Sequence, residues 1–201
     1  MRIRQLGVAA LGIAIVFAAC YPEAEEQAVV EEEVPSQSVQ EDPISSAEAM
    51  IKNALSAGPA DLAANATVID LEGNVLREGT NEYTCMPDDP EVSGNSPMCA
   101  DETWLVFIAA LMSQQPPPKV EKMSFAYMLQ GDWPTSNTDP FATGPTEDNE
   151  WVEDIGPHIM VLVPDIAVLE GVPDDPSHGE PYVMWMGTEY EHLMIPAAKK
   201  E

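Results

Sequence analysis

Beyond Lys119 the apolar residues come only in short runs, "MSFAYMLQG", "HIMVLVP", "YVMWMG" and "HLMIP", each cut off by Gly, Pro or Asp. Runs this brief do not make helices of ordinary length, whereas buried strands of four to eight residues read this way. Two long connections separate them, residues 132–150 and 164–181, and loops of that length without structure of their own are either functional or disordered. Earlier in the chain the signals differ. Ser45 with Glu48 makes a capping box, and Ala47, Met50, Ile51, Ala54 and Leu55 follow at helical spacing until Gly58-Pro59 ends the segment. "ATVIDLEGNVLREG" reads as two strands turning at Gly73-Asn74. Asp101 is placed to cap a second helix with Trp104, Leu105, Ile108, Leu111 and Met112 on one face, stopped by Pro116 to Pro118. The expected fold is α+β: a mostly antiparallel sheet of five or six short strands with two main helices, loop-rich, closed by one disulfide.

The N-terminus has a different character. Arg2 and Arg4 precede the apolar stretch Leu6 to Ala19, which ends in Phe17-Ala18-Ala19-Cys20. A spanning helix needs about 20 apolar residues, so this shorter stretch reads as an export signal. Its small-small-Cys ending resembles the lipobox of bacterial lipoproteins, although Phe17 stands where that class prefers leucine. The resemblance implies cleavage before Cys20, lipidation of Cys20, and a membrane hold through several acyl chains, which bind stably where one binds marginally. Tyr21 follows in place of an aspartate, which in that class implies outer-membrane rather than inner-membrane sorting, facing the periplasm or the cell surface. The expected organisation is a signal over 1–19, an acidic disordered tether over 20–44, a single domain over 45–196 and a short tail over 197–201. The tether, "YPEAEEQAVVEEEVPSQSVQEDP", lacks a sustained apolar period and cannot offset its chain entropy by burial.

Charge narrows the partners. The chain has 8 Lys+Arg against 35 Asp+Glu, a formal net charge of −27. Such a field repels phosphate backbones, so nucleic acid is excluded as a partner. The stretches "REGTNEYTCMPDD", "YMLQGDWPTSNTDPFATGPT" and "PYVMWMGTEYEHLMIP" are similar to secreted bacterial proteins of unknown function, and that similarity implies no activity and no site residues.

Compartment decides the cysteines. In "CMPDDPEVSGNSPMC" a metal, a redox pair and a bridge are all conceivable readings of Cys85 and Cys99. Zinc wants four ligands, commonly from Cys-x-x-Cys units or added histidines, and a catalytic pair favours Cys-x-x-Cys. An exported chain meets oxidising surroundings, so the expectation is a structural disulfide closing an acidic loop.

Two metal sites are alternatives. His158-Ile-Met160 and His192-Leu-Met194 are both His-x-Met, and period-two alternation puts each pair on one strand face, joined by Met184 and Met186 on a third strand. On neighbouring strands they would offer a soft set suited to copper. Core packing of the methionines, with the histidines at the surface, is the ordinary alternative. Asp132, Asn137 and Asp139, with Glu147, Asp148 and Asn149, supply oxygens for calcium without the EF-hand spacing. Trp133 and Trp151 flank the same segment and are expected to pin it to the core. No Gly-x-Ser-x-Gly, His-Glu-x-x-His or Walker loop occurs. The functional expectation is a membrane-anchored, exported lipoprotein with a non-enzymatic binding or structural role and no resident cofactor, taking a protein, glycan or small ligand. The alternatives are a calcium- or copper-binding envelope protein and a hydrolase with an unrecognised site.

Overall fold

A computed structural model describes residues 46–197, all within one compact unit. The signal, Cys20 and the tether lie outside the described residues, as does Ser45. In chain order the elements are α1 (Ala47–Leu55), α2 (Ala60–Ala63), β1 (Thr67–Ile69), β2 (Val75–Arg77), β3 (Tyr83–Met86), β4 (Met98–Asp101) and α3 (Glu102–Met112). There follow β5 (Ser124–Met128), β6 (Thr135–Ser136), β7 (Trp151–Val152), β8 (His158–Leu162), two 3-10 turns (Ile166–Leu169 and Pro176–His178), β9 (Tyr182–Met184) and β10 (His192–Pro196).

Eight strands form one sheet in the order β2-β1-β3-β4-β5-β8-β10-β9, antiparallel except for the β1–β3 pair, while β6 and β7 pair separately. The four apolar runs beyond Lys119 became β5, β8, β9 and β10, and the Gly73 turn, at φ 87°, joins the antiparallel β1 and β2. The sheet exceeds the expected five or six strands because the residues around each cysteine are themselves strands. Cys85 and Cys99 are directly opposed in β3 and β4, joined by an S–S bond of 1.98 Å, and fully buried. The bridge therefore crosses a hairpin inside the sheet rather than tying the ends of a free loop.

The parallel pair needs a tight crossing. A Cβ on Gly79 would lie 2.2 Å from the Thr67 amide nitrogen, so only glycine lets the β2–β3 connection pass the start of β1. Arg77 reaches back from β2 and donates to the carbonyls of Ala63 (2.8 Å) and Ala66 (2.6 Å), where α2 runs into β1.

Adjacent residues of β4 show how the two faces divide. Cys99 packs with Ala54, Ala57, Ala66 and Val68 under α1, whereas Ala100 belongs to the larger cluster under α3 with Trp104, Phe107, Met160 and Met194. Ser46, not Ser45, caps α1, its hydroxyl accepting from the Ala49 amide at 3.2 Å. Asp101 caps α3 as expected. The buried face of α3 is Trp104 and Phe107, and Met112 is 78% exposed rather than part of that face. The two long connections are not structureless, since β6 and both 3-10 turns lie within them and β7 follows the first directly. No helix among the described residues is long and apolar enough to cross a membrane.

Candidate functional site

An open cleft of about 910 Å³ lies among the described residues. Its walls come from the turn after α1, the tip of the β3–β4 hairpin around Ser93 to Asn95, the exit of β5, residues 153–157 and Ala197. Gly131 and Asp132 form its floor. The Asp132 amide donates to the Ile155 carbonyl at 2.9 Å in a lone antiparallel bridge, which brings the β5 exit against the approach to β8. This close pass needs Gly131, at φ 109°, because a Cβ there would stand 2.8 Å from the Ile155 oxygen.

Asp132 carries the unusual electrostatics. Its Oδ1 accepts from the Trp133 amide at 2.8 Å. Burial, aided by the neighbouring Asp88, nevertheless pushes the carboxyl up to about 7, outweighing that bond. Asp88 is itself buried and engaged, its Oδ1 accepting from the amide and hydroxyl of Ser96 at 2.8 and 2.9 Å. Glu153 and Asp154 add further acids to the lining, and among the described residues no Lys, Arg, His or Cys lines the cleft. The cleft thus offers acceptors and a carboxyl whose raised pKa keeps it partly protonated near neutrality.

The oxygen set expected for calcium is dispersed. Asp132 sits in the cleft floor. Asn137 lies in the core, its Nδ2 donating to Glu150 Oε2 (2.8 Å) and to the Asp174 carbonyl (2.6 Å). Asp139 is exposed, accepting from the Phe141 amide at 2.9 Å. Among the described residues no three His, Cys, Asp or Glu side chains gather as a metal site. Trp133 is 39% exposed and Trp151 half-buried in β7, so neither is a fully buried pin.

The His-x-Met strands, in contrast, are neighbours. β8 and β10 pair antiparallel with Met160 directly opposite Met194, and His192 stands directly opposite Met184 of β9. The register separates the histidines, because His158 pairs with Pro196 at the other end of β10. Neither is at the surface, correcting the expectation: both are 2% exposed. Each places Nδ1 against a carbonyl two residues earlier, His158 on Gly156 at 2.8 Å and His192 on Tyr190 at 3.0 Å. A carbonyl only accepts, so Nδ1 carries the proton and Nε2 is left as a bare acceptor. Neither Nε2 has a hydrogen-bond partner among the described residues. Burial lowers both imidazoles, His192 to about 4.

Sequence reasoning did not find Trp185. Its φ of 57° is left-handed, its amide donates to the Asn137 carbonyl and its Nε1 to the Ser136 carbonyl, both at 2.8 Å. Its ring meets that of His192 at 5.1 Å, with Trp104 at 5.3 Å and Phe107 at 6.2 Å on other sides. Nothing in "YVMWMG" signals a left-handed tryptophan. No protein-family model, curated protein or solved structure matches this chain.

Proposed function

We propose that the chain is an exported, lipid-anchored envelope protein of bacteria whose folded domain binds a small cationic or hydrogen-bond-donating ligand without transforming it. The observation that carries the binding role is the acidic cleft floored by Asp132, with its several acceptors and, among the described residues, no basic side chain in its lining. Concave sites that bring a few polar groups together on a preformed scaffold are where small ligands bind. Among the described residues no histidine, lysine or cysteine lines the cleft, and the binding reading asks for none. The export reading is supported by a disulfide buried in the sheet and by the small-small-Cys ending at Cys20, with Tyr21 favouring outer-membrane sorting. The acidic stretch after Cys20 then serves as spacer between lipid and domain.

Cell fractionation tests the anchor: the wild-type chain is expected with membranes and Cys20→Ser in the soluble fraction, and an unchanged distribution would reject lipidation. Isothermal titration with spermidine and with putrescine tests the cleft. Binding that weakens as salt rises, and at least fivefold in Asp132→Ala, is expected. No measurable heat with either amine, or equal affinity in the variant, would remove the cleft reading.

A further inference from the structure

Independently of the cleft, we infer that His192, Met184 and Met194 form a buried binding site for a soft monovalent metal ion, Cu(I) by its chemistry. Three observations converge there. The first is register: His192 and Met184 are a directly opposed pair of β10 and β9, which sets their Cβ atoms about 5 Å apart. Met194, two residues along β10, shares that face, so two thioethers flank one imidazole, and all three are at most 3% exposed.

The second is the state of the ring. His192 donates its Nδ1 proton to the Tyr190 carbonyl, the arrangement that orients metal-ligating histidines, and leaves the Nε2 lone pair buried without a partner. Buried polar atoms are almost always satisfied, and one that is not calls for an explanation such as a bound ion. The third is strain. Trp185, immediately after Met184, is held at φ 57°, a conformation unfavourable for a bulky side chain, and the ring so placed lies against His192. With Trp104 and Phe107 it packs around the imidazole in T-shaped contacts, at interplanar angles of 74–89°.

The donor types choose the metal. Thioether and imidazole together select soft Cu(I) over calcium, magnesium or manganese, which want oxygens. Both cysteines of the domain are bonded to each other, so no thiolate there competes. Met186, two residues beyond Met184, is 44% exposed and lies on the solvent side of the same segment.

The test uses the full-length chain carrying Cys20→Ser, purified in mild detergent with the Cys85–Cys99 bridge verified by mass. Cu(I), kept reduced by ascorbate under argon, is titrated against bicinchoninate. One Cu(I) per chain withheld from the competitor is expected, with sulfur and nitrogen neighbours in the copper X-ray absorption spectrum. Met184→Leu/Met194→Leu conserves apolar volume, and its circular dichroism should match wild type while Cu(I) affinity falls at least tenfold. Met186→Leu should bind as wild type does. The inference is overturned if the wild type withholds no Cu(I), if the folded double variant binds as tightly, or if Met186→Leu alone abolishes binding.

Discussion

The carboxylate of Asp101 joins α3 to β5 through Ser124. Oδ1 accepts from the Ser124 hydroxyl and from the Trp104 amide at 3.1 Å, while Oδ2 accepts from the Phe125 amide at 2.8 Å. Trp104 closes the circuit, its indole Nε1 donating to the Ser124 carbonyl at 3.1 Å. One side chain thus caps a helix and fixes that helix to the strand it covers. Asp101→Ala removes the cap, worth about 1 kcal/mol, and strands the fully buried Ser124 hydroxyl, which adds about 1–3 kcal/mol. Urea unfolding should show a loss of about 2–4 kcal/mol, against about 1 kcal/mol for Ser124→Ala.

The bridge between β3 and β4 closes a segment of sequence separation 14. In the chain-entropy account a loop of this size contributes about 3 kcal/mol. Cys85→Ala/Cys99→Ala should lower unfolding stability by about 2–4 kcal/mol, and mass spectrometry of the alkylated native chain should find neither residue modified.

Local signals were legible where neighbouring residues decide the outcome. Asp101 three residues before Trp104, the Gly73 turn and the apolar runs around Phe125, Val161, Val183 and Leu193 each carry their structure in their own spacing. What sequence did not show depends on distant pairing. Tyr83–Met86 is a strand because β1 and β4 flank it, not because its four residues alternate clearly. His158 and His192 read as surface residues because imidazole is polar, but a backbone carbonyl two residues back satisfies Nδ1 and lets each ring stay neutral inside. The cleft draws on five separate segments, and no one of them resembles a site by itself.

Glycine at 131 is demanded twice, by a φ of 109° and by the Ile155 carbonyl. Gly131→Ala should therefore cost about 2 kcal/mol or more, since strain in a left-handed backbone and a contact with main chain add. Gly144 meets nothing within 4 Å and has no left-handed φ, so Gly144→Ala should lie between neutral and about 1 kcal/mol stabilising. Thermal unfolding of the two variants side by side checks the contrast, and equal effects would contradict the close pass at the cleft floor.

Asp132 gives the cleft a pH signature whose sign is opposite to that of an ordinary salt-bridged acid. Folding raises its carboxyl from 3.8 to about 7, so between those values the folded state holds a proton that the unfolded chain has released. Stability from this group is therefore full below about pH 3.8 and declines as pH rises through 7, where the folded state must bear a buried charge. Each unit corresponds to 1.36 kcal/mol. Because the side chain keeps some surface at the cleft, the full shift overstates the effect. Asp132→Asn removes the titration while His158 and His192 titrate in both proteins and cancel in the difference. The stability of Asp132→Asn relative to wild type should grow by about 1–3 kcal/mol from pH 5 to pH 8, measured by urea unfolding at fixed ionic strength. A difference independent of pH would mean that Asp132 ionises as freely as an exposed acid, and a difference that shrinks with pH would mean that folding stabilises its charge.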